Sequence, residues 1–255
     1  ASLVPLEERI EFNEKIRAAR KIAGDSVYGE RIQLILDELT PVEDLEQALR
    51  EREAAGEPRE DAPVVLAADA ADDEEPPTYK LRDIDTGKKP EVETTFQVTW
   101  EGDAIVFDVV CEEPEMETIP VTDNVWGGDS VAVLLETPYH SYYHVEVNPE
   151  GRIYDADWGI PKRNRPKWRS TADVETERGD DYWRLVIRIP VVPIREGQND
   201  PLHFVVGGKP TADDPWFFNI GRSRGVLDER RVYAFSPTQG SYHKPERFAR
   251  LQVAG

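Results

Sequence analysis

The sequence has almost no cysteine and no long apolar run, and both absences limit the kinds of protein that it can be. Cys111 is the single cysteine among 255 residues, so an internal disulfide is excluded and the redox compartment stays undetermined. One thiolate also leaves no cysteine-based zinc site. No apolar stretch approaches the roughly 20 residues of a membrane-spanning helix. No signal peptide opens the chain, as we expect for a mature or excised fragment.

Basic residues are in deficit as well. The chain has 31 lysines and arginines against 51 acids, and its formal net charge is −20. Because nucleic acids and anionic membranes attract the opposite sign, neither is expected as a main partner. Nucleophile-elbow, P-loop and dinucleotide-binding patterns are also absent. Paired carboxylates for glycoside hydrolysis stay open in so acidic a chain, although no pair stands out.

Residues 1–56 are predicted to be a helical appendage. Two apolar runs at helical spacing flank Gly24-Asp25, and Thr40-Pro41-Val42-Glu43 has the cap, proline and acid of a third helix start. Short amphipathic helices bury little alone, so their apolar faces need a partner surface, in this chain or in a larger domain from which it was cut. The apolar positions are Phe12, Ile16, Ala19, Ala23, Tyr28, Ile32, Ile35, Leu36 and Leu39.

Residues 57–77 are predicted to be an acidic linker. The segment contains eight acids, one arginine and a proline pair, a composition typical of a linker or a strap over the surface. Val64, Val65 and Leu66 are the exception, and they predict a short edge strand.

From Thr78 to the end the pattern changes to strands. Short alternating runs are separated by turn residues, as where Glu101-Gly102-Asp103 joins two of them. About ten such strands, with no helical pattern among them, predict an antiparallel β-sandwich of immunoglobulin-like type over residues 78–255. The fold class is therefore mostly β with a short α-helical segment in front. The clearest core-facing alternation is Trp183, Leu185, Ile187 and Ile189.

The stretch Val125–Asp157 combines a glycine-flanked Trp126 with strands rich in polar aromatic side chains. In its second strand Tyr142, His144 and Glu146 share one face, and the alternate residues face a core. Sugars present a C–H face that packs on an aromatic ring and a rim of hydroxyls that needs hydrogen-bonding side chains. This face therefore predicts a binding surface, although core packing is the commoner role of any single aromatic side chain.

Two histidines of this stretch leave a further alternative. His140 and His144 lie four residues apart across a turn into a strand. A metal bound through both is one interpretation, and a pair of polar groups lining a groove is the other.

Four motifs in order resemble one family. The run Trp126-Gly127-Gly128-Asp129-Ser130-Val131 is similar to the W-x-x-D-S-V signature of family nine carbohydrate-binding modules, which are DOMON-like sandwiches. The strand Tyr143–Asn148, then Phe218-Asn219-Ile220 after Trp216, and then Tyr242–Phe248 follow in the family's order. The resemblance covers about residues 78–255. The helical start and the acidic linker resemble the end of a larger polysaccharide-degrading protein that carries such a module.

The resemblance implies two aromatic side chains that sandwich a terminal sugar, with polar side chains on its hydroxyls. Ala132 stands where the family has Glu, and His144 where it has Arg, so two charge-assisted bonds are missing. Structural calcium is also implied, through carboxylates at Asp123, Asp155 and Asp157. The ligand-binding residues that the resemblance implies are Trp126 and Tyr242 as the aromatic pair, with His144 and Gln239 beside them. Tyr142 shares a strand face with His144, and Arg222 has two interpretations, contact with ligand at the rim or pairing with the surplus of acids.

By resemblance, the chain is expected to bind mono- or oligosaccharides, or polysaccharide ends, without catalysis. It would target a secreted or periplasmic polysaccharide-processing protein to its glycan, as a monomer or tethered to a larger catalytic domain. The alternatives are part of a glycoside hydrolase with catalytic carboxylates, haem binding through Met116 and a histidine, and a structural domain whose site has decayed. Ala132 is the best argument for a decayed site.

Overall fold

The computed structural model describes residues 6–39, 42–43, 62–72, 75–138, 140–160, 164–194, 201–203, 205, 207–226 and 229–254. Two helices open the described part, α1 at Leu6–Ala23 and α2 at Val27–Glu38. Gly24 ends α1 with a φ of +54°, a conformation that favours glycine. Ser26 caps α2 by accepting a hydrogen bond from the Gly29 backbone at 3.2 Å. The predicted third helix lies outside the described residues apart from Val42 and Glu43.

The apolar faces of these helices stay largely open to solvent. Phe12, Ile22, Tyr28 and Leu34 are between 50% and 88% exposed. The need for a further partner surface therefore persists in the described structure. None of the described helices is long and apolar enough to cross a membrane.

Thirteen strands form one continuous sheet that curls into two layers, which confirms the predicted β-sandwich. One layer has the order β8-β7-β6-β11-β13-β1, and the other β1-β4-β5-β10-β9. Most neighbours are antiparallel. The strands are β1 Val64–Asp69, β2 Tyr79–Lys80, β3 Arg82–Asp83, β4 Thr94–Trp100, β5 Ala104–Glu112, β6 Ser130–Thr137, β7 His140–Val147, β8 Ile153–Asp157, β9 Asp173–Arg178, β10 Tyr182–Pro190, β11 Trp216–Val226, β12 Glu229–Ala234 and β13 Ala249–Val253.

The sequence predicted that strand β1 lies at an edge, but in the structure it lies inside the sheet. Its first half pairs in parallel with β13, and its second half, Ala68–Asp69, pairs in parallel with β4. Val65 and Ala67 are fully buried. One strand thus joins the two layers, and the sheet begins at Val64, within the segment predicted as a linker. The sequence predicted the strand but not its place inside the sheet, because neither a short apolar run nor its flanking charges determine which strands it pairs with.

The core between the layers follows the predicted alternation. Tyr143, Val145 and Val147 of β7 all lie in the interlayer core, as do the inward residues of β10. On the other face of β7, Tyr142 packs in a second, smaller cluster together with Tyr242 and Phe248. This smaller cluster covers part of the outer face of the layer that contains β7. The candidate site lies beside the cluster on the same face.

Candidate functional site

Trp126 projects from the loop before β6. It lies in a 3₁₀ turn, Val125–Gly127, and the turn is fixed from below because Val125 is buried. The Asp129 backbone N–H donates to the Pro120 carbonyl at 2.9 Å, which holds the loop to the preceding segment. The Trp126 side chain remains 43% exposed, and its ring meets Tyr154 of β8 edge-on with centroids 4.4 Å apart. The indole is thus supported on one edge and open to solvent.

His144 and Glu146 lie beside Tyr154 on the outer face of β7. The His144 ring packs edge-on against Tyr154 at 5.4 Å between centroids. Glu146 accepts a hydrogen bond from the Ser130 hydroxyl at 2.6 Å, and its other oxygen lies 3.3 Å from His144 Nε2. Glu146 is paired directly across from Ala132 in the β6–β7 register. A carboxylate therefore occupies this place even though Ala132 replaces the family's glutamate.

Trp158 and His243 continue the same surface. Their rings stack with centroids 4.1 Å apart, and the Arg165 guanidinium carbon lies 4.1 Å from the Trp158 centroid. His243 also packs edge-on against His144 at 5.3 Å. Five side chains joined by ring contacts are called here the aromatic face: Trp126, Tyr154, His144, Trp158 and His243. Trp126 is exposed, Tyr154, Trp158 and His243 are part-buried, and His144, predicted to bind ligand, is buried among them.

The aromatic face contains polar atoms that lack partners. His144 Nδ1 and Trp158 Nε1 are buried without a hydrogen-bond partner among the described residues, and His144 Nε2 makes no hydrogen bond although the Glu146 carboxylate lies 3.3 Å away. Such atoms are uncommon in native structures, because an unsatisfied buried donor or acceptor costs about 1–3 kcal/mol. These positions are where a ligand or water with hydroxyl groups would complete the bonding.

We expect the unfolding free energy to fall as the pH is lowered from 6.5 to about 4, in part because of His243. Burial, reinforced by the neighbouring His144, lowers the pKa of His243 from 6.5 to about 4. Within that window the unfolded chain binds more protons than the folded chain, so stability is present above the window and lost through it. For a fully buried ring, this pKa shift would correspond to a loss of about 3 kcal/mol in the free energy of unfolding. The part-buried ring of His243 should contribute about half of that loss.

Chemical denaturation at pH 7 and at pH 4.5 measures this effect. The variant His243→Gln should lose less stability between the two values than the parent protein does. An equal loss in both proteins would show that His243 does not titrate in this way.

Tyr242, predicted as the second stacking aromatic, is buried. Its ring lies in the outer cluster, only 8% exposed, and its hydroxyl is 3.0 Å from the Ser223 hydroxyl. A Cβ at Gly221 would lie 2.2 Å from Tyr242 Cε1, so the strand needs glycine there to let the ring approach. In this conformation Tyr242 packs on the sheet, and His243 is its neighbour on the aromatic face.

Gln239 and Tyr142 have different surroundings. Gln239 is exposed at a φ of +56°, and its backbone N–H donates to the Ile84 carbonyl at 2.9 Å. Tyr142 is buried, but its hydroxyl reaches His243 Nδ1 at 2.9 Å and its ring stacks on Trp158 at 5.9 Å. Tyr142 therefore supports the aromatic face from beneath, and Gln239 lies in the turn that leads to it.

Arg222 lies inside the protein and not at a ligand rim. Its side chain is fully buried and makes a two-point bond to Asp129, at 3.1 and 2.9 Å. A further bond reaches Glu113 at 2.8 Å, and Arg224 pairs with the same carboxylate. Of the two interpretations of this arginine, rim contact or pairing with an acid, the structure has the second. The aspartate of the W-x-x-D-S-V run therefore binds an internal arginine.

The three aspartates predicted to hold calcium have different partners. Asp123 is exposed and pairs with Arg152. Asp155 accepts hydrogen bonds from the backbone and hydroxyl of Ser170 at 2.7 and 3.0 Å. Asp157 is buried beside two histidines, His140 and His203, and it is the one member of the three that belongs to a cluster of potential metal ligands in the described chain. Calcium at these aspartates stays a prediction, and it would require Asp123 and Asp155 to leave their present partners.

Sequence reasoning missed several residues of the aromatic face. Tyr154 and Trp158 come from β8 and the turn after it, and Arg165 follows a few residues later. The alternation of β7 already placed Glu146 on the right face, and extending it across to β8 would have suggested Tyr154. The proximity of His243 to Trp158 had no sequence signal, because it depends on a contact between segments far apart in the chain. Met116, considered as a haem ligand, packs in the interlayer core.

Comparison with known proteins identifies the fold. No protein-family model matches the chain, and no curated protein matches it significantly. Among solved structures, a candidate carbohydrate-binding protein from Bacteroides uniformis ATCC 8492 is similar with a TM-score of 0.55 and 16% identity, covering 76% of this chain and 100% of that chain. A family 9 carbohydrate-binding module from Caldicellulosiruptor kristjanssonii, in complex with cellotriose, is similar with a TM-score of 0.51 and 13% identity, covering 75% and 94%. Over that part, the chain shares the β-sandwich fold of these two proteins.

Proposed function

We propose that the chain binds carbohydrate without catalysis, at the aromatic face. The observation that carries this proposal is an exposed indole next to buried polar atoms that lack partners. Trp126 offers a flat apolar surface, and His144 with Trp158 offers ring nitrogens that have no hydrogen-bond partner. A sugar needs both features at once, since its C–H face packs on an aromatic plane and its hydroxyls donate and accept hydrogen bonds.

Charged groups at the same place extend the proposal. Arg165 lies over Trp158 at the aromatic face, so a guanidinium is at hand for charge-assisted bonds to hydroxyls, and the buried Glu146 places a negative charge beside His144. Arg165 thus supplies the positive charge that His144 lacks relative to the family pattern, and Glu146 a carboxylate opposite Ala132. The argument for a decayed site is weaker for that reason.

The fold likeness suggests the first ligand to try. The Caldicellulosiruptor kristjanssonii module is in complex with cellotriose, so cellotriose is the natural starting probe, followed by a panel of oligosaccharides. We propose further that the chain acts as a targeting module in a secreted or periplasmic polysaccharide-processing protein. The exposed apolar side chains of α1 and α2 support attachment to a larger domain.

We expect Trp126→Ala to weaken oligosaccharide binding about 5- to 150-fold, if stacking of a sugar on the indole contributes about the 1–3 kcal/mol of a nucleobase on an aromatic ring. Since the indole is 43% exposed, the free energy of unfolding should change by less than about 1 kcal/mol. Isothermal titration calorimetry measures the affinity, and thermal unfolding measures the stability of the same preparations.

Tyr28→Ala is the matched control. Tyr28 is an aromatic side chain that is 73% exposed on α2, so its removal should leave sugar binding unchanged. If Trp126→Ala instead unfolds the domain, the indole is a packing residue and the proposed site is wrong. If both variants bind like the parent protein, the ligand lies elsewhere. Turnover of a chromogenic glycoside by the parent protein would replace this proposal with the hydrolase alternative.

A further inference from the structure

A second cluster of polar side chains lies on the core side of β7 and β8, across the sheet from His144. His140 opens β7, Asp157 closes β8, and His203 lies in the segment 201–203. The His140 Nε2 is 2.5 Å from Asp157 Oδ1, and the His203 Nε2 is 3.3 Å from Asp157 Oδ2. One ligand atom from each residue lies within 4.8 Å of the others. We propose that His140, Asp157 and His203 bind a transition-metal ion, with Zn²⁺ the expected occupant.

The donor types favour such an ion over calcium. Two imidazole nitrogens and one carboxylate are the ligand set of catalytic-type zinc sites and of related iron and nickel sites. Calcium and magnesium prefer oxygen ligands, and the cluster offers oxygen from Asp157 alone. With metal–ligand bonds of about 2.0–2.2 Å in tetrahedral geometry, neighbouring ligand atoms lie about 3.3 Å apart. The close approaches of His140 and His203 are to different oxygens of Asp157, and one ligand atom from each residue lies within 4.8 Å of the others, so the set would contract by about 1.5 Å or less around an ion.

One oxygen of the carboxylate has a close neighbour but makes no hydrogen bond. Asp157 is completely buried, and its Oδ2, which lies 3.3 Å from His203 Nε2, makes no hydrogen bond among the described residues. Its Oδ1 is oriented by the Gly159 backbone N–H, which donates at 2.8 Å. Gly159 also leaves room for the imidazole, because a Cβ there would lie 2.5 Å from His140 Nε2. A buried carboxylate between two histidines, with one oxygen that makes no hydrogen bond, is an arrangement that a cation can complete.

The ligands are held in place by neighbours that do not depend on a metal. The His140 ring stacks on Tyr143 at 4.9 Å, and Tyr143 stacks on Trp168 at 4.7 Å. The Tyr143 hydroxyl accepts from the His203 backbone N–H at 3.0 Å, and Trp168 Nε1 donates to the Pro201 carbonyl at 2.9 Å. These contacts hold His203 beside the sheet. His140 is buried while the His203 side chain is 35% exposed, so the open coordination position faces the His203 side.

One neighbouring cation opposes the ion. Arg9 of α1 is close enough to interact electrostatically with Asp157, and its positive charge competes with a metal for that carboxylate. We expect Arg9→Gln to tighten metal binding rather than weaken it.

The test uses the full chain, stripped with a chelator and titrated with Zn²⁺ by calorimetry. We expect one Zn²⁺ per chain and a melting temperature that rises with Zn²⁺ concentration. Calcium in about 100-fold excess should not compete, because the site has two nitrogen ligands. Co²⁺ in place of Zn²⁺ should give the visible absorption of a four-coordinate site.

Variants locate the ion. His203→Ala changes a part-exposed side chain, so we expect it to fold and to lose at least about 100-fold in Zn²⁺ affinity. His140→Ala should lose as much, and His243→Gln, which changes a histidine outside the cluster, should bind within about twofold of the parent protein. The proposal is overturned if the folded parent protein binds no Zn²⁺ at about 100 µM, or if His203→Ala keeps the parent affinity. Either result would make the cluster a hydrogen-bonded bridge between segments. Sugar binding by the same preparations reports separately on the aromatic face.

Discussion

Arg222→Ala is expected to lower the free energy of unfolding by about 3–5 kcal/mol, the largest effect of any substitution proposed for this protein. The guanidinium is fully buried and bonds to two carboxylates, Asp129 and Glu113. It also donates to the Glu112 carbonyl at 2.8 Å. Without it, two buried acids would face each other with Arg224 as their remaining close cation, and a buried charge without its partner is strongly unfavourable.

The electrostatics of the network support this expectation. Burial raises the pKa of Asp129, and the charge of Arg222 opposes that increase. Loss of the arginine would therefore push Asp129 toward its protonated form, which relieves part of the repulsion but leaves the hydrogen bonds unmade. For this reason the expected effect lies in the range for broken buried pairs and does not exceed it.

Urea denaturation of Arg222→Ala and of a surface control tests the prediction. Arg184 of β10 also pairs with an aspartate, Asp108, but its side chain is 43% exposed. Because solvent screens exposed pairs, Arg184→Ala should cost less than about 1 kcal/mol. Equal losses for the two variants would mean that the buried network does not stabilise the fold.

Tyr242→Ala is expected to cost about 3 kcal/mol of stability, because it removes a buried aromatic ring from the outer cluster. The ring is only 8% exposed and packs in the cluster that contains Leu134 and Phe248. The neighbouring residues can move only a little into the space that the Tyr242 ring would leave, because the ring packs closely against the strand at Gly221. Guanidinium denaturation measures the loss.

The conservative variant separates packing from hydrogen bonding. Tyr242→Phe keeps the ring and removes the hydroxyl that lies 3.0 Å from Ser223, so it should cost about 1 kcal/mol. If Tyr242→Ala retains the parent stability but loses sugar binding, Tyr242 stacks on the ligand as its sequence position suggests, and the conformation with a buried ring is not the binding one.

Alternation along single strands was a sound guide to the sandwich. The inward residues of β7 and β10 lie in the core as predicted, because a strand's period of two depends on backbone geometry alone. The helices α1 and α2 and the break at Gly24 followed from the spacing of apolar residues in the same way. Rules based on residue spacing succeed where the structure depends only on residues that are near each other in the sequence.

Partners across the fold were not accessible in this way. The sequence placed β1 at an edge, yet it pairs with β13 and β4, which lie far apart in the chain. The sequence left Arg222 either at a ligand rim or paired with an acid, and only the tertiary structure pairs it with Asp129, 93 residues earlier. A charged residue on a strand has the same pattern whether it faces water or a buried acid.

The sequence by itself determined the class of this protein: strands in alternation, helices at the start of the chain, a strong excess of acids and a tryptophan in a glycine-flanked loop. Only the tertiary structure decided which aromatics meet. It buried Tyr242, placed His243 on Trp158, put Glu146 opposite Ala132, and brought His203 to Asp157. The physical reason is that composition and periodicity act within a few residues, while a binding site is made by segments that come together only when the core has packed.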